Sequence, residues 1–368
     1  MFKQGAFPSQ YIRKMIEEGQ IMGNQEDAIQ PASMDLTISD EIYRMKGVFL
    51  PRTGEKITDI LKDGTLYKYN LDNPLECGAI YLIRVNETFK LNEDIYAYAN
   101  NKSSTGRINL QVRLIGNGVS QFDNIPAGYE GDMWLILSPK SFSVKLYPGD
   151  RLNQIRFFNA NTNLAPMHYH ILNQQIGILR DSNGKALDGT VPRAFESDIR
   201  MSIDLEQDIV GYKCTPSAGK VLDFRKFDHS QADFFEPIYK PQNHGLVLKT
   251  NEFYILSTVE YIRIPNEYAV EMVAYDTSKG EFRSHYAGFF DPGFGYGENG
   301  EMMGTPAVLE VLTQDNEFYL RHGQPICRMV FTTLAEKADL VYGSSAAGSH
   351  YHNQRGPRLG KHFKQNEI

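Results

Sequence analysis

The chain is poor in cysteine. Its three, Cys77, Cys214 and Cys327, are scattered over 368 residues. They form no CxxC pair and, being odd in number, no disulfide framework, so neither a thiolate metal site nor a stapled secreted fold is expected. A reducing cytoplasm is the expected home. Long apolar runs are missing too. No stretch approaches the roughly 20 apolar residues of a membrane span, and the N-terminus, MFKQGAFPSQYIRKMIEEGQ, has no signal-peptide core. A membrane partner is therefore not expected. Nor is positive charge in excess: 38 Lys and Arg stand against 45 Asp and Glu, a net charge of −7. A nucleic-acid backbone rewards a basic surface, so a nucleic-acid polymer is not the expected partner. A small nucleotide remains open, because it needs only a local cationic pocket.

What is present is ordinary globular composition, 41% hydrophobic and 23% charged, in a length that suits two or three domains. The chain also repeats itself. IYLIRVNETFKL at 80–91 matches FYILSTVEYIRI at 253–264, with Tyr81 on Tyr254, an offset of 173 residues. LYPGDRLNQIRF at 146–157 matches LRHGQPICRMVF at 320–331, with Gly149 on Gly323, an offset of 174. SMDL at 33–36 is echoed by SIDL at 202–205. Three blocks in one order at nearly one spacing indicate a tandem duplication. Most blocks are rich in Val, Ile, Tyr and Phe, several alternate with period two, and turns such as YPGD and RHGQ separate them. The expectation is a mainly β chain of two tandem barrels with a short N-terminal helix. Ser9 would cap that helix, Ile12, Met15 and Ile16 would form its apolar stripe, and it would end near Gly19. The expected boundaries are 1–160 for the first barrel, 161–198 for a connector ordered in part by Ile171, Ile176 and Ile178, 199–335 for the second barrel, and 336–368 for a polar tail, mobile unless bound.

Four stretches carry candidate chemistry. Asn101-Lys102-Ser103-Ser104-Thr105-Gly106-Arg107 offers hydroxyls, backbone N–H groups and two cations to phosphate oxygens; the same residues also make an ordinary surface turn. Glu310 interrupts the apolar run 307–312. Facing outward it is a solvated edge charge. Facing inward, desolvation raises its pKa and suits it to general-base work near neutrality. Its counterpart at the 174 offset is Ile136, an aliphatic residue. In the third stretch the turn Asp291-Pro292-Gly293 is flanked by Phe290 and Phe294, which form either plain core or a wall for a planar base. Arg283 and His285 precede it, and Gly118–Asp123 is the expected match in the first copy, keeping the pair Phe122-Asp123. The fourth is the tail, with His350, Tyr351, His352, Gln354, Arg355, Arg358 and Lys361. It suits a lid closing on an anion, or a plain soluble end. His350 and His352 have no Cys or carboxylate nearby, so no metal site is expected there.

Taken together, these stretches resemble the deoxycytidine triphosphate (dCTP) deaminase branch of the dUTPase superfamily. EEGQI after the first helix and Gln30-Pro31-Ala32-Ser33-Met34-Asp35-Leu36 look like its N-terminal region. Lys102–Arg107 is similar to its phosphate motif, Phe290–Phe294 followed by Val308-Leu309-Glu310 to its nucleoside turn and catalytic strand, and Tyr351–Gly356 to its C-terminal lid. The resemblance covers nearly the whole chain, as two copies in tandem, and looks most like the long duplicated bacterial form. It implies distorted, jelly-roll-type dUTPase-like barrels and hydrolytic deamination of dCTP to dUTP and ammonia, feeding dUMP and dTTP synthesis. Zinc deaminases carry H-x-E and P-C-x-x-C signatures, which are absent here, so the implied chemistry needs no zinc. Glu310 would take a proton from water attacking C4 of cytosine; the proton would pass to N3 and ammonia would leave. Ser103, with Glu310, is the implied catalytic pair. Lys102, Ser103, Ser104, Arg107, Gln354 and Arg355 would meet the phosphates. Phe290, Asp291, Phe294, Arg283, His285 and Tyr351 would meet the nucleoside. Magnesium would arrive on the triphosphate oxygens, and a homo-oligomer is implied.

The copies divide the labour. The first keeps the Ser-Ser-x-x-Arg motif but has Ile136 in place of the glutamate. The second keeps Glu310 and the lid but reads Asp276–Arg283 where the phosphate motif belongs. One composite site per chain is expected. Phe289 stands where the family places an arginine, which leaves Arg283, His285 or neither as the substitute. Two rival readings remain. One is a dUTP pyrophosphatase or bifunctional enzyme, with Asp123 aiming a water at phosphate. The other is a non-catalytic deoxynucleotide-binding regulator.

Overall fold

The computed structural model of the chain describes residues 2–187, 199–215, 219–243, 245–274, 282–284, 288–313, 316–344, 351 and 354–364, with backbone alone at 274 and 282–284. The fold is mainly β. It divides into two compact units. Unit 1 comprises Met1–Ala160, Pro216–Asp233 and Gly360–Ile368; unit 2 comprises Asn161–Thr215 and Phe234–Leu359. The chain therefore returns to unit 1 twice, with a segment expected in the second barrel and with the end of the expected tail. No helix among the described residues is long and apolar enough to cross a membrane.

Helix α1 (Ser9–Glu17) buries Tyr11, Ile12 and Met15. Ser9 is not its cap: Pro8 holds the N-cap and no side chain caps the helix. A proline there costs nothing, because the first N–H groups of a helix have no partner within it. Gly19, at φ +73°, ends the helix as expected. The main sheet of unit 1 is antiparallel and runs in the order 110–116, 130–139, 81–90, 33–45, 151–158, 96–101 and 124–125. The 13-residue strand Ser33–Met45 pairs with Tyr81–Lys90 towards its end and with Arg151–Phe158 at its start, which curls the sheet towards a closed barrel. Ile83, Leu135, Leu137, Ile155 and Phe157 are fully buried. Helices α2 (Ile57–Gly64) and α3 (Ser103–Gly106) belong to the same unit.

Among its described residues unit 2 wraps two larger antiparallel sheets and the two-stranded pair Gly245–Leu248 and Phe318–Arg321 around one core that includes Ile199, Met201, Leu256, Leu309, Val311, Met329 and Phe331. Much of the expected connector is built into it. Helix α4 (Pro166–Ile176) and the strand Leu179–Arg180 bury Tyr169, Ile178 and Leu179 completely, while Ile171 stays exposed.

Register shows the duplication directly. Leu82 opposes Ile136 as Ile255 opposes Glu310, and Tyr43 opposes Lys68 as Tyr212 opposes Pro237. Both copies also break register at the same place, between Arg84 and Thr88 and between Ser257 and Tyr261. Each break holds a buried glutamate. The Glu87 carboxylate accepts from Thr37 N at 2.9 Å and Thr37 Oγ1 at 2.7 Å; that of Glu260 accepts from Ser202 N at 2.7 Å. Burial raises the pKa of both.

Candidate active site

The phosphate motif lies in unit 1. Lys102 is the N-cap of α3, and its Nζ lies 2.5 Å from Oδ1 of buried Asp35. Asp35 belongs to the SMDL block, so the two repeat signatures meet here. Ser103 is exposed, whereas Ser104 and Arg107 are buried. The end of the chain covers this motif. A side chain built on Gly360 would meet Arg107 Cβ at 3.6 Å and Ser104 O at 3.7 Å. Next to it, Lys361 has its pKa lowered by burial and then by nearby Lys102. His362 is fully buried against the rings of Phe224 and Phe227, with centroids 4.6 Å and 6.1 Å away, and Phe363 is fully buried as well. His229 N donates to His362 O and Lys364 N to His229 O. The tail, expected to be mobile unless bound, is held at 360–364 by two buried rings and a backbone ladder.

The base side lies in unit 2. Glu310 sits in the strand Thr305–Thr313, whose Leu309 and Val311 point into the core. By alternation Glu310 faces away from that core, yet it is only 5% exposed. Neither simple alternative held: it is buried, but not among the core aliphatics. Ile255 stands opposite it and Ser257 opposite Val308 on the same face. Ser257 is fully buried and its hydroxyl has no hydrogen-bond partner among the described residues. The backbone of Arg283 pairs with Leu312, which puts position 283 on the face of Glu310 as well. His285 and most of the stretch Asp276–Arg283 lie outside the described residues.

The nucleoside turn is close-packed. Asp291 and Phe294 are buried, and Phe290 meets Phe294 edge-on at 5.0 Å. The expected match in the first copy needs correction. Val270 pairs with Phe290 as Ala97 pairs with Ile125, so Phe290 takes the place of Ile125 rather than Phe122. The lid residues land at the start of the glutamate strand. Gln354, buried, donates Nε2 to Pro306 O at 2.8 Å; Arg355 Nη1 donates to Gly304 O at 3.3 Å; Tyr261 Oη donates to Arg355 O at 2.9 Å. Tyr351 is buried and His352 lies outside the described residues. Among the described residues no three His, Cys, Asp or Glu side chains gather as a metal-binding group.

Two family models match the chain. The N-terminal domain of 2'-deoxycytidine 5'-triphosphate deaminase covers residues 3–161 and its C-terminal domain covers 175–363. The chain belongs to the dCTP deaminase family. It is similar to the dCTP deaminase structure from Agrobacterium tumefaciens, with a TM-score of 0.82 and 34% identity over 92% of this chain and all of that one. Shorter relatives match about two-fifths of it. "dCTP deaminase, dUMP-forming" of Methanosphaera stadtmanae is 30% identical over 40% of this chain and 75% of its own length. Its counterpart in Dictyoglomus thermophilum is 26% identical over 43% and 82%.

Within this family frame the two copies differ in what covers the decisive face. In the first copy Ile136 is sealed in an apolar cluster with Met45, Ile57, Leu82, Ile115 and Trp134, flanked by Leu61 of α2. The lid of that cluster is the stretch 46–64 after the strand Ser33–Met45. Its counterpart, by the register of Tyr43 and Tyr212, is 215–233. It joins unit 1, where Val221–Asp223 pairs in parallel with Ser143–Lys145 and Arg225 Nε lies 2.7 Å from Asp150. The aliphatic twin is thus filled by its own capping stretch, whereas 216–233 belongs to unit 1. Sequence reasoning missed Ser257, because a lone serine in a strand carries no signal, and this exchange of the capping stretch, because 215–233 has ordinary loop composition.

Proposed function

We propose that this chain hydrolyses dCTP to dUTP and ammonia, with Glu310 as the general base and without zinc. The observation that carries the reading is a buried carboxylate on a strand face where the twin copy has a sealed isoleucine. Glu310 takes a proton from the water that attacks C4 and passes it to N3; it then carries the C4 hydroxyl proton to the amino group, so that the C4–N bond breaks, C4=O forms and ammonia leaves. Phe290, Asp291, Phe294 and Tyr351 hold the nucleoside, with Arg283 or His285 completing the recognition of the base. Lys102, Ser103, Ser104 and Arg107 take the phosphates, joined by Gln354 and Arg355 of the lid, and Ser103 helps hold the attacking water. Magnesium accompanies the triphosphate on its oxygens. Because the phosphate motif survives only in the first copy and the base only in the second, activity requires both. Ammonia release from dCTP should fall by about a hundredfold or more in Glu310→Gln, the span expected for loss of a general base, and should also collapse in Ser104→Ala. Full activity in either variant would overturn the division of labour. The reading includes a homo-oligomer, which sedimentation velocity on the assayed preparation tests.

A second reading, release of dUMP rather than dUTP, is suggested by the names of the shorter relatives. It needs a carboxylate to aim a water at phosphate. Asp123, the sequence candidate, has its oxygens engaged by Arg113 Nε at 2.5 Å and Leu114 N at 2.8 Å. Following pyrophosphate beside ammonia separates the two outcomes.

A further inference from the structure

The second copy carries a loop that the first lacks, and a buried arginine holds it. The offset between copies is 174 at the pair Ile136 and Glu310, and it is still 174 at Gly131 and Thr305, which oppose Phe89 and Ile262. On the other side of the turn, Leu91 N donates to Tyr129 O at 2.9 Å as Ile264 N donates to Phe294 O at 3.0 Å, so the offset from Tyr129 to Phe294 is 165. The difference is nine residues, Gly295–Met303, inserted between the nucleoside turn and the glutamate strand.

Arg263 threads this insert. It is 4% exposed, donates Nε to Met302 O at 2.9 Å and Nη2 to Gly300 O at 2.7 Å, and stacks over the Tyr296 ring at 4.9 Å. Its remaining nitrogen donates to Ile176 O at the end of α4. Asn266 Nδ2 adds a bond to Glu298 O at 2.8 Å, and the Glu301 carboxylate accepts from Asn299 N at 2.8 Å. At the corresponding position the first copy has Lys90, an exposed side chain 3.5 Å from Glu130. The arginine therefore goes with the insert. A planar fork that makes several directed bonds while stacked is work a lysine does not reproduce. The insert ends at Gly304, and the carbonyls of Gly304 and Pro306 are the ones that Arg355 and Gln354 grasp.

We propose that Arg263 is a positioning residue for the lid: by fixing Gly295–Met303 it sets the two carbonyls on which Arg355 and Gln354 dock, and so sets nucleotide affinity without touching the nucleotide. This rests on the deaminase reading above. Arg263→Gln should raise KM for dCTP about tenfold while kcat changes little, the pattern of lost binding rather than lost chemistry. Arg263→Lys should recover part of the loss. Trypsin should cut at Arg355 faster in Arg263→Gln than in the parent, with no nucleotide present. In a chain lacking residues 295–303, Arg263→Gln should add nothing further, because the pair acts as one unit. An unchanged KM, an equal fall in kcat with KM untouched, an unaltered cleavage rate at Arg355, or a full additional effect in the deletion background would each overturn the proposal. Should Arg263→Gln fail to fold, Tyr296→Ala removes only the stacked ring and must give the same readings in weaker form. A parent that releases no ammonia would sink the deaminase reading, while the trypsin comparison would still decide the positioning role.

Discussion

Single side chains in this protein are set by burial more than by charge pairing. His362 is the clearest case: desolvation pushes its pKa down to about 3 from 6.5. As pH falls below 6.5 the unfolded imidazole takes its proton first, so the stability His362 contributes above 6.5 is lost progressively towards 3. Glu87 and Glu260 act in the opposite sense. Their raised pKa values favour the fold at low pH and cost stability as pH rises through the folded value. A parent melting curve mixes both signs, so the comparison is with a variant. Between pH 6.5 and about 4, where an ordinary imidazole gains its charge, the parent should lose more melting temperature than His362→Phe. Parallel curves would show that the buried imidazole does not govern acid stability. At this scale Glu310 was legible, because a carboxylate in an apolar strand stands out beside an isoleucine twin. Arg263 was not. Its bonds go to carbonyls of a loop more than thirty positions away, and nothing in the run EYIRIP marks the arginine as buried.

At the scale of elements, strand identity was readable and loop correspondence was not. Alternating β-branched and aromatic residues marked the strands of both barrels, and the offsets of 173 and 174 are the registers that the sheets adopt. The nucleoside turn was misaligned because the offset falls from 173 at Val270 to 165 at Phe290 and returns to 174 only after the nine-residue insert beyond Phe294, and the chance pair Phe122-Asp123 imitates Phe290-Asp291. The sealed cluster around Ile136 has its own consequence. Ile136 is 3% exposed, so Ile136→Ala should cost about 2–5 kcal/mol, the range for opening a cavity in a packed core, as read by chemical denaturation. Deamination at permissive temperature should persist in this variant, since that face is filled in the parent. A loss of activity without loss of stability would mean that the first copy's face takes part in the reaction.

The molecule as a whole was legible as two copies but not as two beads. Nothing in either stretch marks 46–64 as the cap of the Ile136 cluster and 216–233 as part of unit 1. The tail read as polar and soluble, yet Phe363 is fully buried and Gly360 packs on the phosphate motif. Deleting residues 360–368 should therefore lower the melting temperature of unit 1, by about 2–4 °C for each kcal/mol lost in a unit of this size. It should also weaken nucleotide binding. Scanning calorimetry with and without dCTP would read both, and an unshifted transition would mean that the tail is dispensable to unit 1.

The route of the chain sets a schedule for its synthesis. When the first 160 residues have emerged from a ribosome, unit 1 still lacks the strand that pairs with Ser143–Lys145 and the segment that covers Arg107. The former arrives with residues 221–223 and the latter only with 360–364, after all of unit 2 has been made. The half begun first is thus completed after the other, and a nascent chain cannot cover Arg107 before Glu310 has been made.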